Sequence, residues 1–302
     1  MAEESSSASS DCKKVGGENA SASPTIKKTP MFTAMNAARY QRQELIWEIE
    51  DDSRQLICYV AGRNAPVDRN DTLGFVDMLH KAKPSEAIDL MLHTPGGDVD
   101  AAEKLISLVR SHVGDDAELR VIIPDFAKSA GTLMALGGDC IMMSDSSELG
   151  PIDPQIQLND GSGNQIVHSV LTYLDAYQNA RDDLEKDPDK LTNRISFEKF
   201  DPTVVRKFEA VKERARIFAE NLLKPKGTEF TRIASELMDI DQYPSHGQMI
   251  GWETAQQIGL NIDYRPLSDD LWQKYWALYC HLRLAIEGDQ KIFESNYVSM
   301  VL

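Results

Sequence analysis

Two short loops carry the residue types that could do chemistry. In "FAKSAGTLMALGGD", Phe126 to Asp139, Ser129 stands between the apolar run "ELRVIIPDF" and a helix-like segment, with small residues around it. Ser is a preferred helix N-cap, so Ser129 can serve only to cap "AGTLMAL". A serine hydroxyl can also act as a nucleophile when a base lies within hydrogen-bond reach. The second loop is "LHTPGGDVDAAEKL", in which Gly96 and Gly97 follow a strand and open a helix. It reads either as a tight turn or as an oxyanion hole, because a residue without a side chain lets its N–H approach a reacting carbonyl oxygen. Gly97 and Ser129 are 32 residues apart. If both turns end parallel strands, they face one carboxyl edge of the sheet, where open α/β sheets bind ligands.

The elements needed to bring those turns together are legible upstream and downstream. "QLICYV" (55–60), "AIDLMLH" (87–93), "LRVIIP" (119–124) and "CIMM" (140–143) are short, nearly continuous apolar runs. Such runs suit strands covered on both faces. The helix-like stretches "DTLGFVDMLHKA", "DAAEKLISLVRSH" and "AGTLMAL" fall between them, giving a β-α-β-α series with parallel pairing. In the carboxyl half, Asp201 as N-cap and Pro202 at the first helical position open one long helix, "DPTVVRKFEAVKERARIFAENLL". A second helix spans "WETAQQI" with Gly259 as its stop. A third starts near Ser268 and carries Leu271, Tyr275, Leu278, Leu282 and Ala285 on one face, a core-facing stripe.

Composition excludes several classes. The 302 residues are 42% hydrophobic, enough for a sizeable core. The net charge of −16 and the lack of a Lys/Arg cluster argue against a nucleic-acid groove and against anionic membranes. Cys12, Cys58, Cys140 and Cys280 form no C-x-x-C pair, so neither a zinc cage nor a disulfide framework is expected, and a reducing cytoplasm is the simplest location. No stretch reads as a signal peptide or a membrane span. Residues 1–30 are rich in Ser, Ala, Gly and Glu, with four acidic residues balancing four lysines, the composition of a disordered tail. Residues 31–302 are then expected to form the folded domain.

The strings "IDLMLHTPGGDVDAAEKLISLVRSH", "VIIPDFAKSAGTLMALGGDCIMMSDSSELGPIDPQI" and "HGQMIGWETAQQIGL" resemble the serine dehydrogenase proteinase family, relatives of the Clp protease proteolytic subunit and of signal peptide peptidase A. The likeness runs over residues 40–290 and weakens after Gln157. It implies a crotonase-like α/β spiral of repeated β-β-α units, with a helical carboxyl-terminal part from residue 201 that often mediates assembly. By position it implies Ser129 as nucleophile and the Gly97 and Ala130 N–H groups as oxyanion donors. It also implies Asp153 and His246 as the remaining triad members, in roles that look exchanged relative to the Clp-type proteins. Asp153 before Pro154 could instead make an Asx turn, and His246 before Gly247 could be an ordinary loop residue. The signal peptide peptidase relatives use a Ser-Lys pair, which makes Lys128 a competing base, although neighbours at a turn usually point apart. His168 is a reserve base in a stretch that could fold over the cleft, and His93 reads as structural.

The expectation is therefore a peptidase acting on peptides or proteins through an acyl-enzyme, with no metal or cofactor, as a homo-oligomer by resemblance. Three other readings stay open. An α/β-hydrolase would require G-x-S-x-G, whereas Ala127 occupies the first glycine's place. A crotonase-type acyl-CoA enzyme would share the two N–H donors, but no basic patch for the CoA phosphates is evident. In a non-catalytic scaffold Ser129 would be only a cap.

Overall fold

The structure, a computed structural model, describes residues 28–50, 54–159 and 165–302. Two units divide the chain, Met1–Ala37 and Ala38–Leu302. In the first, the Thr29 hydroxyl accepts the Phe32 N–H at 3.2 Å and Pro30 occupies the first turn of α1 (Pro30–Met35). Cys12 and the tail expected over residues 1–30 lie, through residue 27, outside the described residues.

The second unit is built on a seven-stranded sheet. Its strands are β1 (Arg54–Ala61), β2 (Ala87–His93), β3 (Leu119–Ile122), β5 (Cys140–Met143), β9 (Ile262–Tyr264), β10 (Lys291–Ser295) and β11 (Ser299–Val301), in the order β11-β10-β1-β2-β3-β5-β9. From β1 to β9 the pairing is parallel; β10 and β11 add antiparallel strands beyond β1. Each strand presents alternate residues to opposite faces, and both faces are covered. Ile57, Tyr59 and Ala61 therefore join one core with α3 (Thr72–Lys81), α4 (Val99–Val113) and α5 (Ala130–Leu136). Leu56, Cys58 and Val60 join the other with Ile46 of α2 (Ala37–Ile49) and with α11 (Asp270–Leu284). Tyr275, Leu278 and Leu282 are buried in that second core and Leu271 and Ala285 pack against it, as the stripe predicts, and the helix starts near Ser268 with Asp269 as its cap.

A second, shorter ladder runs across the carboxyl ends of the main strands. Thr94, just past β2, bridges Ala127 of β4 (Phe126–Ala127); β4 pairs with β6 (Glu148–Leu149), and Leu149 bridges Ile250. Main strand, short strand and helix thus repeat, as the β3-β4-α5 unit does. This is the α/β architecture of repeated β-β-α units that the resemblance implies. After β6 come the hairpin β7 (Gln155–Asn159) and β8 (Gln165–Ser169), then α6 (Val170–Lys186), α7 (Leu191–Glu198), α8 (Pro202–Leu223), α9 (Phe230–Leu237) and α10 (Trp252–Ile258). Asp201 caps α8 and Gly259, at φ 104°, ends α10, both as expected. The carboxyl-terminal part is not wholly helical, since β9, β10 and β11 return to the sheet.

Candidate active site

Two turns of the short ladder define the site. At the first, the Gly96 and Gly97 backbones adopt φ of 96° and 150°. Space also requires glycine at both positions. A Cβ on Gly96 would sit 2.6 Å from the Lys128 carbonyl oxygen, and one on Gly97 would sit 2.4 Å from that of Val67. Val67 N–H donates to Gly96 O at 2.7 Å and Asp98 N–H to Val67 O at 2.9 Å, which locks this turn against the loop after β1. Asp98 then caps α4 through its Oδ1.

At the second turn, Ser129 links β4 to α5 with φ 50° and ψ −112°, a left-handed conformation that a side-chain-bearing residue rarely adopts. Although it occupies the N-cap position, its hydroxyl takes no capping hydrogen bond. Capping therefore does not account for a serine here. Among the described residues neither the Gly97 N–H nor the Ala130 N–H has a protein acceptor. An N–H left free in this way can serve an outside oxygen.

Asp153, in the loop between β6 and β7, is 7% exposed. Its Oδ2 lies 3.3 Å from His246 Nδ1, across 93 residues of sequence, and its Oδ1 accepts the Ser169 hydroxyl at 2.7 Å. Its contacts are to distant side chains, not the local backbone N–H groups of an Asx turn. An Nδ1–H donated to the carboxylate leaves Nε2 as the acceptor nitrogen. Ser129, Gly96, Gly97 and His246 line one cleft of about 390 Å³, together with Arg63, Asn64, Pro66, Pro95, and Gln155, Gln157 and Val167 of the hairpin.

The competing bases point elsewhere. Lys128 Nζ is ion-paired with Glu148 and donates to the carbonyls of Leu149 at 3.2 Å and Gln248 at 3.4 Å. His168 pairs across the hairpin with Ile156, one step out of phase with the cleft-lining Gln157 and Val167, and its ring meets Tyr173 edge-on at 6.0 Å. The period of two places it on the other face. His93 is buried against Phe126 and Tyr279. Burial, with Arg283 adding to it, pushes its pKa down to about 3, which fits the structural role read from the sequence.

Two features of the site escape the sequence reading. Ser169 both caps α6, accepting the Thr172 N–H at 3.1 Å, and holds Asp153. Thr132 is fully buried and ties the Ser129 turn to the residue after β6: its hydroxyl donates to the Ala127 or Gly150 carbonyl and accepts the Gly150 N–H. The hairpin lines the cleft through Gln155, Gln157 and Val167, in keeping with the expectation for the stretch around His168. A Ser preceding the helix-like "VLTYLDAY" was a visible cap signal for Ser169, but nothing local connects it to Asp153. No cluster of metal-ligating side chains occurs among the described residues, and none of their helices is long and apolar enough to cross a membrane.

Residues 67–183 match the family model of the ClpP-like SDH-type serine proteinases, so the resemblance read from the motifs holds over that stretch. The match contains Gly97, Ser129 and Asp153 and ends before His246. An uncharacterized protein of Methanocaldococcus jannaschii is 32% identical over 199 residues, 65% of this chain and 59% of that protein. A second uncharacterized protein of the same organism is 45% identical over 69 residues, 23% of each chain. The chain thus spans less than two thirds of the length of these relatives. Among solved structures, a serine-to-alanine mutant of the 1510-N membrane-bound stomatin-specific protease aligns with a TM-score of 0.44 at 17% identity, over 73% of this chain and 84% of that one. A lysine-to-alanine mutant of the same protease, in complex with a substrate peptide, aligns with a TM-score of 0.36 at 17% identity, over 75% and 98% of the two chains.

Proposed function

We propose, from the match to the ClpP-like SDH-type serine proteinases, that this chain is a serine peptidase that hydrolyses peptide bonds through an acyl-enzyme on Ser129. The observation that carries the reading is the contact between Asp153 and His246, which holds an imidazole in the cleft that Ser129 lines. In this scheme His246 Nε2 accepts the Ser129 hydroxyl proton as Oγ attacks the peptide carbonyl. The oxyanion of the tetrahedral intermediate accepts the Gly97 and Ala130 N–H groups. Collapse expels the amine, which takes the proton back from His246, and water repeats the sequence to release the acid. Asp153 orients the ring and stabilises the imidazolium, itself staying ionised. The substrate is a peptide or protein, with no cofactor called for by the scheme. A cytoplasmic homo-oligomer, from the cysteine usage and the resemblance, completes the proposal.

The test is labelling with a fluorophosphonate probe, read beside hydrolysis of a broad peptide library. Wild type should label and cleave, and Ser129→Ala should do neither. A wild-type protein inert in both assays favours the non-catalytic scaffold, and turnover of acyl-CoA thioesters alone favours the crotonase-type enzyme.

A further inference from the structure

The walls of the cleft carry a chemical bias. Besides Ser129 and His246, its polar side chains are Arg63, Asn64, Gln155 and Gln157. All four can donate hydrogen bonds, and the lining contains no carboxylate, although the chain has 48 acidic residues against 32 basic ones. Among the described residues Arg63 makes no ion pair, while many of the other arginines, among them Arg42, Arg54, Arg120 and Arg214, are paired with acids. Its backbone is fixed nonetheless. Gly62 N–H donates to Gln290 O at 2.8 Å, Asn64 N–H to Gly288 O at 2.6 Å and Ala65 N–H to Gly62 O at 3.1 Å. An exposed guanidinium is thus held on a rigid turn at the rim of the site, with its donors uncommitted.

A planar guanidinium matches a carboxylate in two parallel hydrogen bonds, a geometry an ammonium cannot offer. The Asn64, Gln155 and Gln157 amides add neutral donors beside it. We infer that the cleft selects peptides carrying a carboxylate close to the bond at Ser129, and that Arg63 reads it. The carboxylate can be an Asp or Glu side chain or the peptide's own carboxyl terminus; the recognition chemistry is the same. This deepens the peptidase reading and rests on it, and the binding preference is measurable without any cleavage.

The experiment uses Ser129→Ala, whose missing hydroxyl removes no internal hydrogen bond, and peptides carrying a neutral fluorophore, with anisotropy as readout. One sequence is made with Glu, Gln or Lys at positions flanking the central bond, each as the free acid and as the amide. Carboxylate-bearing forms should bind about tenfold or more tightly than their neutral counterparts, in line with charge-assisted hydrogen bonds. A preference of the Glu amide over the Gln free acid assigns the reading to the side chain, and the opposite order assigns it to the terminus. Adding Arg63→Gln should bring the ratio close to one, and Arg63→Glu should turn the preference toward Lys. Equal affinity for carboxylate-bearing and neutral forms, with Glu equal to Gln and free acid equal to amide, or a carboxylate preference that survives Arg63→Gln, overturns the inference. Absence of probe labelling in wild type would remove the peptidase reading alone.

Discussion

At the scale of single residues, Ser129 is held where its backbone is least comfortable. A non-glycine residue in a sparsely populated conformation costs ~1–3 kcal/mol, which the surrounding contacts must offset. Ser129→Gly should therefore melt at or above the wild-type temperature while losing probe labelling and peptidase activity. Ser129→Ala should lose the same activities with almost no change in melting temperature, because the hydroxyl caps nothing; a marked drop would restore the capping role. Gly97 is a less selective probe than its sequence context suggests. A side chain there strikes the Val67 backbone, so Gly97→Ala should combine a loss of kcat of ~10²–10³, the cost of one oxyanion donor, with a lowered melting temperature. His93 makes a pH prediction. The folded protein keeps it neutral down to about pH 3, whereas an unfolded chain protonates it near ~6.5. Between those values the unfolded state binds the extra proton, so the stability present above pH 6.5 is lost as pH falls. Denaturant midpoints at several pH values should decline less steeply below pH 6.5 in His93→Gln than in wild type.

Elements explain which parts of this arrangement the sequence discloses. Ser129 and the Gly-Gly turn are legible because each sits in a short strand-turn-helix unit whose apolar run, small residues and helix onset are contiguous. The core stripe of α11 is legible for the same reason. The two-residue strands β4 and β6 are too short for any periodicity, and β10 hides because "KIFES" begins and ends in polar residues. Those residues, Lys291, Glu294 and Ser295, are buried only because distant partners reach them: Asp68 and Asp71 for Lys291, Arg42 for Glu294. Ser169 is the same case within the site. At the junction of β8 and α6 it links the start of a helix to Asp153, the carboxylate beside His246, and on the proposed mechanism it is a positioning residue. Ser169→Thr should retain activity and stability. Ser169→Asp keeps a good N-cap but sets a like charge beside Asp153, so kcat should fall and its pH profile move while the melting temperature changes little. If the Asp variant matches wild type in its pH profile, Ser169 is a cap and nothing more.

For the molecule as a whole, the sheet is closed on one side by β10 and β11, strands far along the chain from β1. β10 pairs with β1 in the register Ile57↔Ser295, and Lys291 reaches the loop that carries Val67, with Nζ 2.8 Å from Asp68 and 2.7 Å from Asp71. Removing residues 291–302 would strip a largely buried strand, β1, of one of its two partners and leave Asp71 without its cation. The shortened chain should be recovered mainly as aggregate, and Lys291→Met, which keeps the strand, should fold with a weakened cleft and slower probe labelling. A soluble, normally labelling truncation would show that the strands are dispensable. The same closure has a bearing on how the protein comes into being. Chains emerge from synthesis amino terminus first, at ~5–20 residues per second, and contacts of long sequence separation form last. A ribosome has to travel 238 residues beyond Ile57 before Ser295 can meet it. Until then the loop that holds the Gly96–Gly97 turn lacks its ion pairs to Lys291, although Ser129 was made long before. On the proposed mechanism a growing chain is a blunt tool, kept from cutting itself or its neighbours until β10 has been made.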